Sequence, residues 1–228
     1  MDLEKQIREA VAQALGVDSL NESYVTKAKK FKLSTEFLSN KVKTARQKDF
    51  EKYVDALNMT SARLDTASRE DANLHGSEYR QLKCDEVYCL NASFLRAFHF
   101  ENISDQRSEL SMDTLSFMRL ERDFGSFDAW QKDFIAAGMA SRDGYACTAY
   151  NIFLGRYMNI VIDGESENVP VGCLPVICLD VAEGAYFKDY LDDRKTYIIA
   201  MMKELNWEKI EERIKKSEKV AKIYGAGE

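Results

Sequence analysis

Histidine is nearly missing from this chain: His75 and His99 are the only two in 228 residues. No arrangement of the fold can therefore supply three imidazoles to one metal ion. Long apolar runs are missing too. Nothing approaches the roughly 18 apolar residues of a membrane-spanning helix. The opening MDLEKQIREAVAQAL mixes charge with apolar residues, unlike the apolar core of a signal peptide. A protein of the cytoplasm, or of a particle assembled there, is expected, and not a secreted one. There is no phosphate-binding glycine loop, HExxH or GxSxG element, so nothing announces nucleotide, zinc-peptidase or serine-hydrolase chemistry. Internal repeats and low-complexity tracts are absent as well. Cysteine is present in an odd number, five, so the thiols cannot all pair within the chain, and buried free thiols are expected. The five-residue spacings Cys84/Cys89 and Cys173/Cys178 turn about 140° around a helix, or fall on opposite faces of a strand. Neither spacing converges on an ion.

What is present is the composition of a globular protein, 45% apolar and 31% charged, long enough for one compact unit or two closely packed lobes. The net charge of −6 is unevenly placed. Between Tyr24 and Lys48 stand eight basic residues, Lys27, Lys29, Lys30, Lys32, Lys41, Lys43, Arg46 and Lys48, against Glu36 alone. Such a stretch reads either as a solvated face or as a docking surface for an acidic partner or for phosphates. The acidic balance of the rest argues against nucleic acid as the partner.

Leu3, Ile7, Val11 and Leu15 recur every fourth residue before Gly16, the pattern of a short amphipathic helix whose stripe must cover its own chain or meet a neighbour. The polar GVDSLNES follows as a linker. Helical patterns run from about Leu33 to Met59 and from Tyr79 to about Phe100, separated by SREDANLHGS, which predicts an antiparallel α-hairpin. After Ser104, helices are punctuated at Phe124-Gly125-Ser126, with Ser126 as an N-cap. Tyr145–Tyr150, Tyr157–Ile162 and Leu174–Leu179 read as strands between the turns Asp143-Gly144 and Asp163-Gly164. From Tyr186 onward the pattern is helical. The expected layout is α+β: an N-terminal extension over 1–30, a long α-hairpin over 31–105, and over 106–228 a three-stranded antiparallel sheet wrapped by helices.

FGSFDAWQKDFIAAG, DGYACTAY, ENVPVGCLPVICLDVAEGAY and YLDDRKTYIIAMMKELNWEKIEERI together resemble the C-terminal half of the iron/manganese superoxide dismutase family. FEKYVDALN and LNASF are similar to motifs of its N-terminal half. The likeness covers roughly residues 33 to 216, and residues 1 to 30 have no counterpart in it. The resemblance implies an ion held by three histidines and one aspartate. Carried across, the aspartate is Asp180, while the histidine positions fall at Ala45, counting back from Tyr53, at Ala92 and at Gly184. The surrounding positions differ too. The tryptophans expected near the ion are Ala182, Tyr145 and Arg96, and the neighbouring glutamine is replaced by Glu167 or Tyr88 at its two alternative places. These positions imply an emptied metal site, no cofactor, no catalytic residue and a chain that is not an enzyme. Tyr88, Tyr145 and Arg96 are expected to lean into the space, with Arg96 turning toward Asp180 to replace the ion's charge. Tyr53, Glu183 and Tyr186 match the family's residue types at the active-site tyrosine and at the dimer interface.

Three functions follow as expectations. The first is a structural or docking subunit of a larger assembly, for example a virion or a ribosome-like particle. Its partners would be other protein subunits or further copies of itself, with neither nucleic acid nor membrane involved. Leu3, Ile7, Val11, Lys27, Lys29, Lys30, Lys32, Glu183 and Tyr186 are the candidate contact residues. The second is a superoxide dismutase with altered ligands, and the third a small-molecule binder using the vacated cavity.

Overall fold

The computed structural model describes residues 26–104 and 110–224. The amphipathic stripe of Leu3, Ile7 and Val11 therefore lies outside the described residues. The expected α+β class holds: a helical hairpin precedes a three-stranded antiparallel sheet and its covering helices.

Helix α1 spans Asn40–Thr66, and α2 spans Glu78–Ile103. The sequence pattern starts the first of these at Leu33, seven residues early. Residues 26–39 instead form an irregular strap that buries Leu38 and half-buries Phe31 and Leu33. Apolar spacing alone does not distinguish such a strap from a helical turn. The helix begins where Ser39 accepts a hydrogen bond from the Val42 amide at 3.3 Å, satisfying one of the free donors of the first turn. At the other end it runs on past Met59, and Ala67 closes it in an extended conformation. Ser77 caps α2 in the same manner through the Arg80 amide.

The buried residues of α1, Val42, Arg46, Phe50, Val54, Ser61 and Leu64, form one stripe. In α2 the buried face widens after Cys89, because the second half of that helix packs on α1 and also on the sheet. Phe31, Phe50 and Phe100 lock the strap to both helices, with ring centroids 5.3 to 6.0 Å apart.

Two short helices follow, α3 (Leu115–Phe124) and α4 (Phe127–Ala140). Gly125 ends the first at φ 86°, where a side chain would be strained. Ser126 caps the second, as its position in the sequence predicts, by accepting from the Ala129 amide at 3.0 Å. The sheet consists of β1 (Gly144–Asn151), β2 (Arg156–Asp163) and β3 (Cys173–Asp180) in the order β2-β1-β3. Strand β1 lies in the middle and is buried from Gly144 through Tyr150. Opposite it, Pro175 lacks a ladder donor, which is tolerable because β3 is an edge strand, and the register slips at Thr148/Ala149 beside it.

Cys147 and Cys178 face each other across β1 and β3 as buried free thiols, sulfur to sulfur 3.1 Å. A Cβ on Gly144 would lie 2.1 Å from the Ile162 carbonyl oxygen, so only glycine permits that approach. The helical run after the sheet divides into α5 (Glu183–Tyr190), α6 (Arg194–Lys203) and α7 (Trp207–Ile223). Asp193 and Asn206 restart the chain as N-caps. Trp130, Phe134, Tyr157, Tyr197, Ile198 and Ile214 are fully buried between these helices and the sheet. Among the described residues no helix is long and apolar enough to cross a membrane.

Candidate functional site

The end of β3 brings Asp180 to the junction of α1, α2 and the start of α5. Its side chain is only 1% exposed, and an ionised carboxylate there requires a compensating charge. Arg46 supplies it. Its Nη2 donates to Asp180 Oδ2, and the Ala182 amide donates to Oδ1 at 3.1 Å. Burial acts to raise the Asp180 pKa, but the guanidiniums of Arg46 and Arg96 outweigh it and hold the carboxyl below its usual range. The group is thus a fixed anion in the folded chain. The Tyr197 hydroxyl, donating to the Asp180 carbonyl at 2.6 Å, anchors the backbone at the same point.

A second ion pair lies alongside. Arg96 Nη2 is 2.6 Å from Glu165 Oε1, with both side chains buried, and its guanidinium also stacks 4.3 Å above the ring of Tyr53. The Tyr53 ring in turn meets Tyr88 at 6.1 Å. Burial, together with a hydrogen bond to Tyr53, pushes the Tyr88 hydroxyl up to about 12. Tyr145, paired directly across from Asp180, is buried, and its hydroxyl finds no hydrogen-bond partner among the described residues. His99 is buried, accepts the Asp180 amide on Nδ1 at 3.4 Å, and is driven by burial down to about 4, so it stays neutral. The charges therefore cancel in two pairs, Arg46 with Asp180 and Arg96 with Glu165.

This arrangement departs from the sequence expectation in three places. The α1 residue that faces Asp180 is Arg46, one position past Ala45, which is only half-buried. Arg96 does lean inward, but toward Glu165, while Arg46 compensates Asp180. Glu165 occupies the interior, whereas Glu167 is exposed and bridges to the Asp163 backbone. Tyr145 fills its expected place, and Tyr88 remains 42% exposed at the margin. Arg46 belongs to the basic stretch read as a surface, yet it is buried. Its i+4 spacing from Val42 and to Phe50 is the available signal. No local signal marks Glu165, because its partner lies 69 residues earlier.

Ala92 is fully buried under Arg96, whose Nη1 donates to the Ala92 carbonyl at 3.1 Å. A Cβ on Gly184 would meet Arg46 Nη1 at 3.2 Å, so the guanidinium fills the space beside that glycine. Among the described residues no three His, Cys, Asp or Glu side chains are grouped to hold a metal. The residues around Asp180 therefore do not fit the three-imidazole, one-carboxylate centre that the resemblance implies.

Of the candidate contact residues, Lys27, Lys29, Lys30 and Lys32 are exposed on the strap. Glu183 is exposed at the start of α5, where its amide donates to Asp143. Tyr186 is buried, stacked on Tyr197 at 5.4 Å and bonded to Arg194 at 3.1 Å.

Residues 115–213 match the family model of iron/manganese superoxide dismutases, C-terminal domain. The chain is 34% identical over 160 residues to an iron superoxide dismutase of Aquifex pyrophilus, covering 70% of this chain and 73% of that protein. It is 33% identical, with the same coverage, to the iron superoxide dismutase of Aquifex aeolicus. To a manganese superoxide dismutase of Halobacterium salinarum it is 30% identical over 159 residues, 69% of this chain and 76% of that one. These relatives correct the expectation that the chain is not an enzyme. Each is named for an enzyme activity, and nothing in the described residues demonstrates its loss. The physical reason for the error is that a count of imidazoles tests one ligand set and leaves other chemistry of the scaffold untested.

Proposed function

Because the chain belongs to the iron/manganese superoxide dismutase family, its role turns on how its own version of the shared site is built, and we propose that it serves as a structural or docking subunit of a larger assembly. The observation that carries this reading is the Arg46–Asp180 pair: a guanidinium is the cation facing Asp180, and the adjacent Gly184 leaves room for it. In this reading the family's ion is replaced by an internal charge, and the buried network preserves the scaffold. The protein works through its outer surfaces, with other protein subunits or further copies of itself as partners. The overall acidic balance disfavours nucleic acid.

A second reading, superoxide turnover at a site with altered ligands, is favoured by the names of the relatives. One experiment separates the two. The full chain is purified from its native source under mild conditions, and metal content, superoxide turnover and associated proteins are measured on the same sample. Docking predicts a defined set of co-purifying subunits and iron and manganese far below one ion per chain. A full complement of either metal with turnover, on a chain that elutes alone, would establish the second reading instead.

A further inference from the structure

Along the outside of the hairpin, α1 and α2 enclose an open groove of ≈ 560 Å³. Its floor is apolar: Val54 and Leu57 from α1, and Val87, Leu90, Phe94 and Ala97 from α2. Val87, Leu90 and Phe94 are 49%, 51% and 48% exposed. They stand at i, i+3 and i+7, so the exposure follows one line along the helix over about 10 Å. Apolar side chains scattered singly on a surface need no explanation, but a lined and concave set marks a contact site. A two-turn apolar line in a groove between helices is the shape that accepts an amphipathic helix through its own i, i+3 or i+4, and i+7 side chains.

The rim specifies the charge of that helix. Glu101 is already paired with Lys29 at 3.2 Å and with Arg213 at 2.8 Å, and Glu86 with Lys83 at 2.9 Å. On the other side Thr26 and Asn58 hold the strap by two hydrogen bonds of 2.9 and 2.7 Å, and Phe31 pins it between Phe50 and Phe100. The strap therefore keeps Lys27 on the groove edge, with Lys30 and Lys32 exposed beyond it. Among the described residues these three lysines make no ion pair. The rim acids Glu86 and Glu101 and the rim base Lys29 are thus neutralised, while Lys27 on the rim and Lys30 and Lys32 beyond it are not, so the charge left uncompensated beside the apolar floor is positive.

We infer that this groove docks an amphipathic helix of a partner subunit, with acidic residues flanking its apolar stripe. The assignment rests on the docking reading above and names its surface and the chemistry of its partner. A nucleic acid offers the negative charge without the apolar stripe, and the floor would stay uncovered.

The test places the photoreactive residue benzoylphenylalanine at Leu90 in the full chain, expressed in the native source, with the same residue at Met139 on α4 as the control. Irradiation should attach the Leu90 probe to a helical segment of another protein that carries Asp or Glu beside its apolar positions. Adding Phe94→Asp, or Lys27→Glu with Lys30→Glu, should lower the yield about tenfold, the loss expected of a central contact or a reversed charge pair. Phe94 and the lysines are exposed, and unchanged thermal unfolding of the variants verifies that folding is intact. Attachment to residues 1–16 of the same chain, to a second copy, or to a segment with basic flanks would overturn the inference. So would a yield at Leu90 no higher than at Met139. If the chain still migrates within an assembly while the Leu90 probe fails, only the groove assignment falls; a chain that migrates alone removes the docking reading with it.

Discussion

Replacing Arg46 by methionine keeps most of the aliphatic stem and removes the charge, so the variant isolates what the guanidinium does for Asp180. The carboxylate is 1% exposed and would retain the Ala182 amide as a donor, at 3.1 Å, with no direct cationic partner. Removing one member of such a buried pair costs about 3–5 kcal/mol, most of it the desolvation of the ion left behind. Arg46 also reaches the half-exposed Asp49 at 3.6 Å, but that pairing is worth less than about 1 kcal/mol and cannot account for a deficit of this size. For a chain of this length each kcal/mol moves the melting temperature by about 2–4 °C, so Arg46→Met should melt about 10 °C lower. Asp180→Asn added to Arg46→Met removes the stranded charge and should restore much of the stability, giving a coupling of about 2 kcal/mol or more in a double-mutant cycle. Urea unfolding of the four proteins at pH 7, with slopes compared, measures it. Single variants that add without coupling, or an Arg46→Met protein within about 0.5 kcal/mol of the parent, would refute the claim that the pair compensates charge.

Glu165→Leu leaves Arg96 buried without its carboxylate and should destabilise by about 3 kcal/mol in the same unfolding assay, while Glu167→Leu, at an exposed site, should change stability by less than about 0.5 kcal/mol. Gly144→Ala drives a methyl into the Ile162 carbonyl and should cost about 3 kcal/mol, read as reduced soluble yield or a lowered melting temperature. Glu211 receives the Leu115 and Ser116 amides at 3.2 and 2.7 Å, and although burial acts to raise its pKa, those bonds and Lys215 hold it below its ordinary value. Its contribution is therefore complete above about pH 4.3, the unfolded value, and is lost as the pH falls through the lower folded value. Glu211→Gln should be about 1 kcal/mol less stable at pH 7, with the gap closing below about pH 4 in denaturant titrations.

What the sequence makes legible is local in origin. The strands are visible because Asp143-Gly144 and Asp163-Gly164 bracket short β-branched and aromatic runs, and the Ser126 cap because it follows Phe124-Gly125. The start of α1 is misplaced by the pattern because Leu33 and Phe37 keep an apolar rhythm while belonging to the strap. Asp180 is recognisable from its strand and the turn after it, but its partner is not. An arginine within a lysine-rich stretch looks solvated until the 134-residue contact that buries it is formed. Arg96 is correctly placed in the interior but paired with the wrong carboxylate, since two acids compete for two guanidiniums and only the packing of α1 against α2 decides between them.

The facing thiols of β1 and β3 give the molecule an internal clock. Cys178 is sealed and pushed well above the ordinary thiol range by burial and by Cys147, so neither sulfur can meet an alkylating reagent while the sheet is closed, whereas Cys84 on α2 is open to it at once. Labelling at the two strand positions therefore counts only the moments when the central sheet parts, and its rate reports how often the whole frame opens.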